Sequence, residues 1–202
     1  MRSDFPRARR GETIGLLGGS FDPPHAGHVH ISKAALKRFR LDRLWWVVSP
    51  GNPLKQRGPA PMDKRMAAAR ALIRHPRIEV TDIEARLGTR YTADTIRQIT
   101  RLFPHVRFVW LMGADNMAQF HLWQDWEEIL HSVPMGVLAR PGERMPARLS
   151  RTARIHDAAR LPSKVSGLLA RSEAPKWCFV NLPLSPESST AIRESGGWRA
   201  EG

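Results

Sequence analysis

The segment LLGGSFDPPHAGHVH, residues 16–30, combines residue types that can bind an anion. Gly18, Gly19 and Ser20 follow an apolar run, and glycines allow backbone N–H groups to approach a ligand without interference from a Cβ atom. A helix beginning near residue 27 directs the positive end of its dipole toward the same loop. We therefore expect this loop to bind a negatively charged group such as phosphate.

Two histidines stand at the start of this predicted helix. His25 and His28 are three residues apart, so their imidazoles can turn to the same side and donate N–H bonds to phosphate oxygens. His30 adds a third imidazole, and zinc binding is an alternative, although no nearby Cys or Glu completes a ligand set. The alternative for each histidine taken alone is a surface or core residue with no ligand. The loop matches neither the G-x-G-x-x-G fingerprint nor a Walker loop.

The elements that position these residues follow from periodicity, because short apolar runs alternate with stretches of helical spacing. The predicted strands lie at 13–18, 43–49, within 78–84, and at 106–113, 134–140 and 176–183; the predicted helices lie at 27–39, 62–74, 91–103, 126–132 and within 185–195. This alternation predicts an α/β fold, a doubly wound, Rossmann-like parallel sheet of about five strands with helices on both faces. Ligands of such folds bind beyond the carboxyl ends of the strands, so chemistry is expected in the loops after residues 18, 49, 112 and 140.

The chain of 202 residues fits one domain. We expect a basic N-terminal tail over residues 1–12, the domain over 13–195 and a short C-terminal tail over 196–202. No apolar run reaches the roughly 18 residues that a membrane span needs, and the first residues lack the pattern of a secretory signal. Cys178, the single cysteine, excludes an internal disulfide framework. A cytoplasmic protein without a membrane partner is the expectation.

The net charge of +13 admits nucleic acid, an anionic membrane surface or small polyanionic substrates as partners. The basic residues are scattered along the chain, and aromatic residues are not interleaved with them in the predicted strands. No RRM, KH or zinc-finger pattern occurs. A basic nucleic-acid-binding module is therefore the remote alternative, and no nucleic-acid partner is expected.

Two segments at opposite ends of the predicted domain resemble signatures of the nucleotidyltransferase superfamily. GGSFDPPHAGHVHIS is similar to G-G-[ST]-F-D-P-x-H-x-G-H, whose H-x-G-H binds the phosphates of a nucleoside triphosphate. SSTAIR, residues 188–193, is similar to the S-[ST]-x-x-[IL]-R pattern near the C-terminus of these proteins, although residue 187 is Glu where Ile is common. On these motifs the chain is identified as a member of the superfamily.

Four interior segments narrow the resemblance to bacterial nicotinate-nucleotide adenylyltransferases. They are SPGNPLK at 49–55, RYTADTI at 90–96, LMGADNMAQFHLWQDWEEIL at 111–130 and LARPG at 138–142. The resemblance covers about residues 13–193. It implies adenylyl transfer from ATP to nicotinate mononucleotide in NAD biosynthesis, giving nicotinate adenine dinucleotide and pyrophosphate, with Mg²⁺ bound through the ATP phosphates. Nicotinamide mononucleotide or another phosphorylated acceptor is the alternative substrate.

The resemblance also implies a role for each matching residue. The residues assigned to catalysis are His25, His28, Lys55 and Arg193. Those assigned to ATP are Gly18, Gly19, Ser20, Phe21, Gly113, Asp115, Ser189 and Thr190. Those assigned to nicotinate mononucleotide are Tyr91, Thr92, Trp123 and Arg140. A nucleotide phosphate is already mostly anionic at neutral pH, so the reaction requires cations and N–H donors more than a strong base.

Several of these residues have a structural alternative. Lys55 and Arg193 are solvated charges in that interpretation, and Asp115 is an acidic residue in the first turn of a helix. Trp123 is then a core residue, and Tyr91 packs at the start of a helix. Trp45 and Trp46 are expected in the core, and Asp22 is expected to hold the Asp-Pro-Pro turn.

Overall fold

A parallel sheet forms the centre of the protein in a computed structural model that describes residues 5–51, 58–139, 147–183 and 189–198. Within these residues the sheet has seven strands in the order β3-β2-β1-β4-β5-β7-β6, and every pairing is parallel. The strands are β1 Thr13–Gly19, β2 Arg43–Val48, β3 Ile78–Thr81, β4 Arg107–Gly113, β5 Met135–Ala139, β6 Arg160–Leu161 and β7 Trp177–Asn181.

The predicted doubly wound α/β architecture is confirmed, whereas the predicted strand number of about five is too low. The strand with no counterpart in the prediction, β6, has two residues and is defined by its pairing with β7. A strand this short carries no periodic pattern, because alternation needs about four residues to be recognised. It lies within residues 141–164, an irregular stretch for which the sequence predicts weak helix and no strand.

The helices cover the sheet on both faces. In the described residues they are α1 Ala26–Arg38, α2 Met62–Leu72, α3 Ile83–Leu87, α4 Thr92–Leu102, α5 Ala114–Gln119, α6 Trp126–Ser132, α7 Arg151–Ile155 and α8 Ser189–Glu194, with 3₁₀ segments at Phe120–Leu122, Asp157–Ala159 and Ser163–Arg171. None of these helices is both long enough and apolar enough to cross a membrane. The short helices α3 and α5 are absent from the predicted set of helices, and α7 lies within residues 141–164, where the sequence predicts only weak helix.

Strand β2 shows how the two cores arise from one run of apolar residues. Trp45 and Val47 pack in the core on one face of the sheet, whereas Trp46 and Val48 pack in the core on the other. Both tryptophans have no exposed surface, which confirms that they are core residues. A continuous apolar run is expected for a parallel strand buried on both faces.

The strand order reverses between β1 and β4. The chain runs outward from β1 to β2 and β3, then returns to β4 and continues on the other side to β5 and the edge strand β6, before β7 inserts between these two. The loops after β1 and β4 therefore diverge at the carboxyl edge of the sheet and leave a crevice between them. This edge is where the sequence motifs are expected to meet.

The residues before β1 lie against this domain. Phe5 and Ala8 pack on the core, and the Gly11 N–H donates to the carbonyl oxygen of His105 at 2.8 Å. Glu12 forms an ion pair with Arg43 at 3.2 Å. The described part of the N-terminal tail therefore contributes packing to the sheet.

Candidate active site

The glycine loop begins with the last two residues of β1, Gly18 and Gly19, and continues through Ser20 at the point where the strand order reverses. A Cβ atom on Gly18 would lie 2.5 Å from the ring of Trp110 in the neighbouring strand β4, so only glycine fits there. The backbone then turns at Phe21, whose φ of 47° is in the left-handed region. The Phe21 ring is buried and stacks on Trp46 with centroids 4.6 Å apart, so Phe21 has only backbone groups to offer a ligand.

His25 and His28 together cap the N-terminus of α1. The Nδ1 atom of His25 accepts from the Gly27 N–H at 3.1 Å, and the Nδ1 atom of His28 accepts from the His25 N–H at 3.2 Å. The ring centroids are 3.9 Å apart. Because Nδ1 is the acceptor in both rings, the proton of each neutral imidazole is on Nε2. The capping geometry thus selects Nε2–H as the donor of both histidines.

The C-terminal helix α8 docks on the Asp-Pro-Pro turn. The Ser189 hydroxyl donates to the carbonyl oxygen of Pro23 at 2.9 Å, and the Arg193 guanidinium donates to the carbonyl oxygen of Asp22 and to the Thr190 hydroxyl. Beyond the helix, the Trp198 indole donates to the Asp22 carboxylate at 2.7 Å. Segments more than 160 residues apart in sequence therefore meet beside the glycine loop.

Gly113 and Asp115 reach the same crevice from β4. Gly113 is the last residue of that strand and the N-cap of α5, and Asp115 lies exposed in the first turn of α5. The Asp115 carboxylate occupies the space that a Cβ atom on Gly113 would take. Asp115 therefore presents a carboxylate to solvent beside the glycine loop.

The Tyr91–Thr92 segment lies at the carboxyl edge because α4 runs back from that edge toward the start of β4. Tyr91 is the N-cap, in an extended conformation, and Thr92 is the first helical residue, one residue later than the start of the predicted helix at 91. Tyr91 makes no side-chain capping bond, so the first-turn amides have no cap from it. These amides and the helix dipole favour an anion at this end of α4, and the acidic side chain of the first turn, Asp94, is paired with Arg97 at 2.6 Å.

Buried polar groups support the start of α4. The Thr95 hydroxyl lies 2.8 Å from the Thr89 hydroxyl, 3.1 Å from the Tyr91 carbonyl oxygen and 3.3 Å from the Glu84 carboxylate. Glu84 is 5% exposed, and this burial raises the pKa of its carboxyl to about 7, although the Thr95 bond acts in the opposite direction. The start of α4 thus rests on a buried acid that is partly protonated near neutral pH.

Trp123 is half-buried after the 3₁₀ segment that follows α5. Its ring packs edge-on against Phe120 at 5.4 Å and against Trp110 at 6.4 Å between centroids. These contacts agree with a packing role and leave part of the ring exposed.

Comparison with known proteins identifies the family to which the chain belongs. The family model described as cytidylyltransferase-like matches residues 16–195. A Ruegeria pomeroyi protein named "Probable nicotinate-nucleotide adenylyltransferase" is 63% identical over 200 residues, which cover 99% of this chain and 94% of the relative. A Roseobacter denitrificans protein of the same name is 62% identical over 198 residues, covering 98% and 100%. The chain belongs to the nicotinate-nucleotide adenylyltransferase family.

Solved structures share the fold at low sequence identity. Plasmodium falciparum nicotinic acid mononucleotide adenylyltransferase, complexed with NaAD, matches with a TM-score of 0.69 and 16% identity, covering 91% of this chain and 83% of that one. A putative nicotinate-nucleotide adenylyltransferase from Vibrio parahaemolyticus matches with a TM-score of 0.55 and 18% identity, covering 73% and 80%. Members of the nicotinate-nucleotide adenylyltransferase family therefore keep this fold through extensive sequence change.

Lys55 and Arg140, to which the resemblance to the nicotinate-nucleotide adenylyltransferase family assigns roles, lie outside the described residues, as does Glu187.

Zinc binding is the alternative role for the histidines. Across the described ranges no group of three or more His, Cys, Asp and Glu side chains has the geometry to hold a metal ion. The Nδ1 atoms of His25 and His28 also already accept backbone N–H groups.

Arg65 belongs to the site region, although no sequence motif points to it. It is 1% exposed, and its guanidinium donates to the carbonyl oxygens of Ser20 at 2.6 Å, Ser49 at 2.9 Å and Ala60 at 2.6 Å. Burial lowers the pKa of Arg65, and the nearby Asp22 charge opposes this shift. The available signal is an arginine inside the apolar stripe of α2, beside Met66 and four residues before Ala69.

Proposed function

We propose that the protein transfers the adenylyl group of ATP to nicotinate mononucleotide, forming nicotinate adenine dinucleotide and pyrophosphate in NAD biosynthesis. The observation that carries this proposal is the docking of α8 on the turn between the glycine loop and α1, because it unites the two end motifs of the family. Identity above 60% to relatives of that name over nearly the whole chain supports the same reaction. The product-bound relative from Plasmodium supports a dinucleotide as the product class.

The ATP phosphates bind at the glycine loop in this proposal. Amides of the loop and the Nε2–H groups of His25 and His28 donate to phosphate oxygens, and Arg193 balances charge on the leaving pyrophosphate. The other ATP contacts are Ser20, Ser189 and Thr190, with Asp115 accepting from the ribose hydroxyls and Lys55 reaching the phosphates. The acceptor phosphate is anionic at neutral pH and attacks the α-phosphorus atom, so the P–O bond to pyrophosphate breaks as the new P–O bond forms.

Mg²⁺ enters this proposal bound to ATP. The described phosphate site consists of amides, imidazoles, hydroxyls and a guanidinium, which bind phosphate oxygens and leave others for the metal. A magnesium ion held mainly by substrate phosphates and water fits this donor set. When bound, Mg²⁺ neutralises charge on the transferring and leaving phosphates.

The start of α4 binds the nicotinate carboxylate in this proposal. The carboxylate accepts from first-turn amides at Thr92 and meets the positive end of the helix dipole. Tyr91, Trp123 and Arg140 complete the pocket, with the exposed part of the Trp123 ring available for stacking on the pyridinium. The amide of nicotinamide mononucleotide carries no charge, so it binds more weakly at this position.

The test is pyrophosphate release from ATP and Mg²⁺ with nicotinate mononucleotide and nicotinamide mononucleotide in parallel, with product masses measured. We expect nicotinate adenine dinucleotide and a strong preference for the nicotinate form. Equal use of both acceptors would contradict the carboxylate pocket. Release with neither acceptor, in protein shown to be folded, would contradict the proposed reaction.

A further inference from the structure

Arg65 joins three segments that surround the glycine loop. Its guanidinium donates to the carbonyl oxygens of Ser20, Ser49 and Ala60, which follow β1, follow β2 and precede α2, respectively. The Asp22 carboxylate adds to this cluster, because it accepts from the Ala60 N–H at 3.4 Å. A buried arginine that bonds three backbone carbonyls fixes the spacing of the segments it joins.

One of these bonds determines the orientation of a peptide group. The Ser20 carbonyl points at Arg65, and in a trans peptide the N–H of the next residue points in the opposite direction. The Phe21 amide therefore points away from Arg65. This is the single Arg65 contact with such a consequence, because Ser49 and Ala60 precede Pro50 and Pro61, which have no N–H.

The conformation at Phe21 requires such support. A non-glycine residue at a φ of 47° is strained by roughly 1–2 kcal/mol. Rotation of the Ser20–Phe21 peptide would relieve this strain and turn the Phe21 amide away from its present direction. The short bond from Arg65 opposes that rotation on one side, and the stack of Phe21 on Trp46 opposes it on the other.

We propose that Arg65 is a positioning residue for ATP: by holding the Ser20 carbonyl it directs the Phe21 amide to a phosphate oxygen. The inference rests on the proposed function, because it assumes that the glycine loop binds the triphosphate. Arg65 itself does not touch the substrate; it lies behind the loop. The lysine side chain ends in a single compact ammonium group, whereas arginine has a planar guanidinium with several N–H donors. Lysine therefore cannot bridge the three carbonyls in the same way.

The experiment combines Arg65→Lys with selective ¹⁵N-phenylalanine labelling. The chain has seven phenylalanines, so the amide spectrum is simple, and a Phe21→Leu variant assigns the Phe21 signal. We expect ATP with Mg²⁺ to shift the Phe21 amide in the unsubstituted protein. In Arg65→Lys we expect this shift to disappear and the dissociation constant for ATP, measured by calorimetry, to rise about tenfold or more.

Arg77→Lys is the matched control. Arg77 also donates to a backbone carbonyl, that of Leu41 at 3.3 Å, but at the amino edge of the sheet. We expect this control to leave the Phe21 shift and ATP affinity unchanged. The melting temperature of each variant separates loss of fold from loss of positioning, and the Michaelis constant for nicotinate mononucleotide should change less than that for ATP.

Two results would overturn the proposal. If ATP does not shift the Phe21 amide signal in the unsubstituted protein, the premise of the proposal is wrong, and no variant is needed to show it. If Arg65→Lys keeps both the ATP-induced shift of the Phe21 amide signal and the ATP affinity, Arg65 does not position this amide. The ATP titration needs no acceptor, so failure of the adenylyl transfer reaction with nicotinate mononucleotide remains a separate result.

Discussion

The glycine loop and the start of α4 both lie at the carboxyl edge of the sheet, yet the buried groups behind them have opposite character. Behind the glycine loop lies a guanidinium, Arg65, that is 1% exposed. Behind the start of α4 lies a carboxyl, Glu84, whose pKa burial raises to about 7. A buried cation favours the approach of a polyanion, whereas a buried acid repels an anionic ligand when it is ionised.

This difference separates two ways of building an anion site. At the glycine loop, strain at Phe21 and a capping box of two histidines give a fixed array of donors. At α4 the donors are ordinary first-turn amides, and hydroxyls of Thr89 and Thr95 hold the helix start. The first site suits a triphosphate that must be held in line, and the second suits recognition of one carboxylate.

The largest expected effect comes from His28→Ala. If His28 donates to phosphate, turnover falls by about 100-fold or more, as when one transition-state donor is removed elsewhere. Stability should fall by about 1–2 kcal/mol, because the capping bond to the His25 N–H and the ring contacts of His28 with Phe21 and Trp46 are lost. Steady-state kinetics and urea unfolding measure the two effects.

His30→Ala is the control for this variant, since His30 lies on the same helix two residues further on. It should retain turnover. Near-normal turnover in His28→Ala would contradict the phosphate role and reduce the glycine loop to a structural turn.

Glu84→Gln tests the buried acid behind α4. The pKa of Glu84 is higher in the folded protein than its ordinary value of 4.5, so folding favours the protonated form. Its contribution to stability is therefore full below about pH 4.5 and is lost as pH rises through about 7, a total of about 3 kcal/mol. The glutamine variant should lack this pH dependence in urea unfolding between pH 5 and 8.

The exposed Glu194→Gln serves as the control and should keep the pH dependence of the unsubstituted protein. An identical pH profile in Glu84→Gln and the unsubstituted protein would show that Glu84 is ionised throughout. The contrast between the two buried groups would then be lost.

Arg193→Ala has a smaller expected effect, which is confined to the kinetics of ATP. The guanidinium donates to the Asp22 carbonyl and, in the proposed function, to the phosphates. We expect the Michaelis constant for ATP to rise about tenfold, with that for nicotinate mononucleotide nearly constant. A lower melting temperature with unchanged ATP kinetics would make Arg193 a structural residue.

The local features of both sites could be predicted from sequence, because they are determined by residues that are close together in the chain. The run from Gly18 to His28 contains its own glycine turn and helix start, and the structure brings His25 and His28 together. Arg65 could not be predicted in the same way. Its three carbonyl partners are 5 to 45 residues away in sequence and become neighbours only after β1, β2 and α2 pack.

Errors in the predicted elements have the same origin. Thr92 is favoured over Tyr91 as an N-cap by side-chain chemistry, but the backbone is extended at Tyr91 and helical from Thr92 onward. Strand β6 depends on pairing with β7 and not on its own two residues. In both cases tertiary structure decides what local propensity alone does not.

The most direct test of the two-site account is the ratio of kcat/KM for nicotinate mononucleotide to that for nicotinamide mononucleotide in Thr92→Pro and Thr92→Ala. Proline is favoured at the first helical position, and the extended Tyr91 before it is compatible, so Thr92→Pro deletes one amide donor without disturbing the helix. Thr92→Ala keeps the amide and should keep the unsubstituted ratio. The account predicts that the ratio in Thr92→Pro falls about tenfold or more, with ATP kinetics unchanged. An unchanged ratio in a folded Thr92→Pro variant would contradict it.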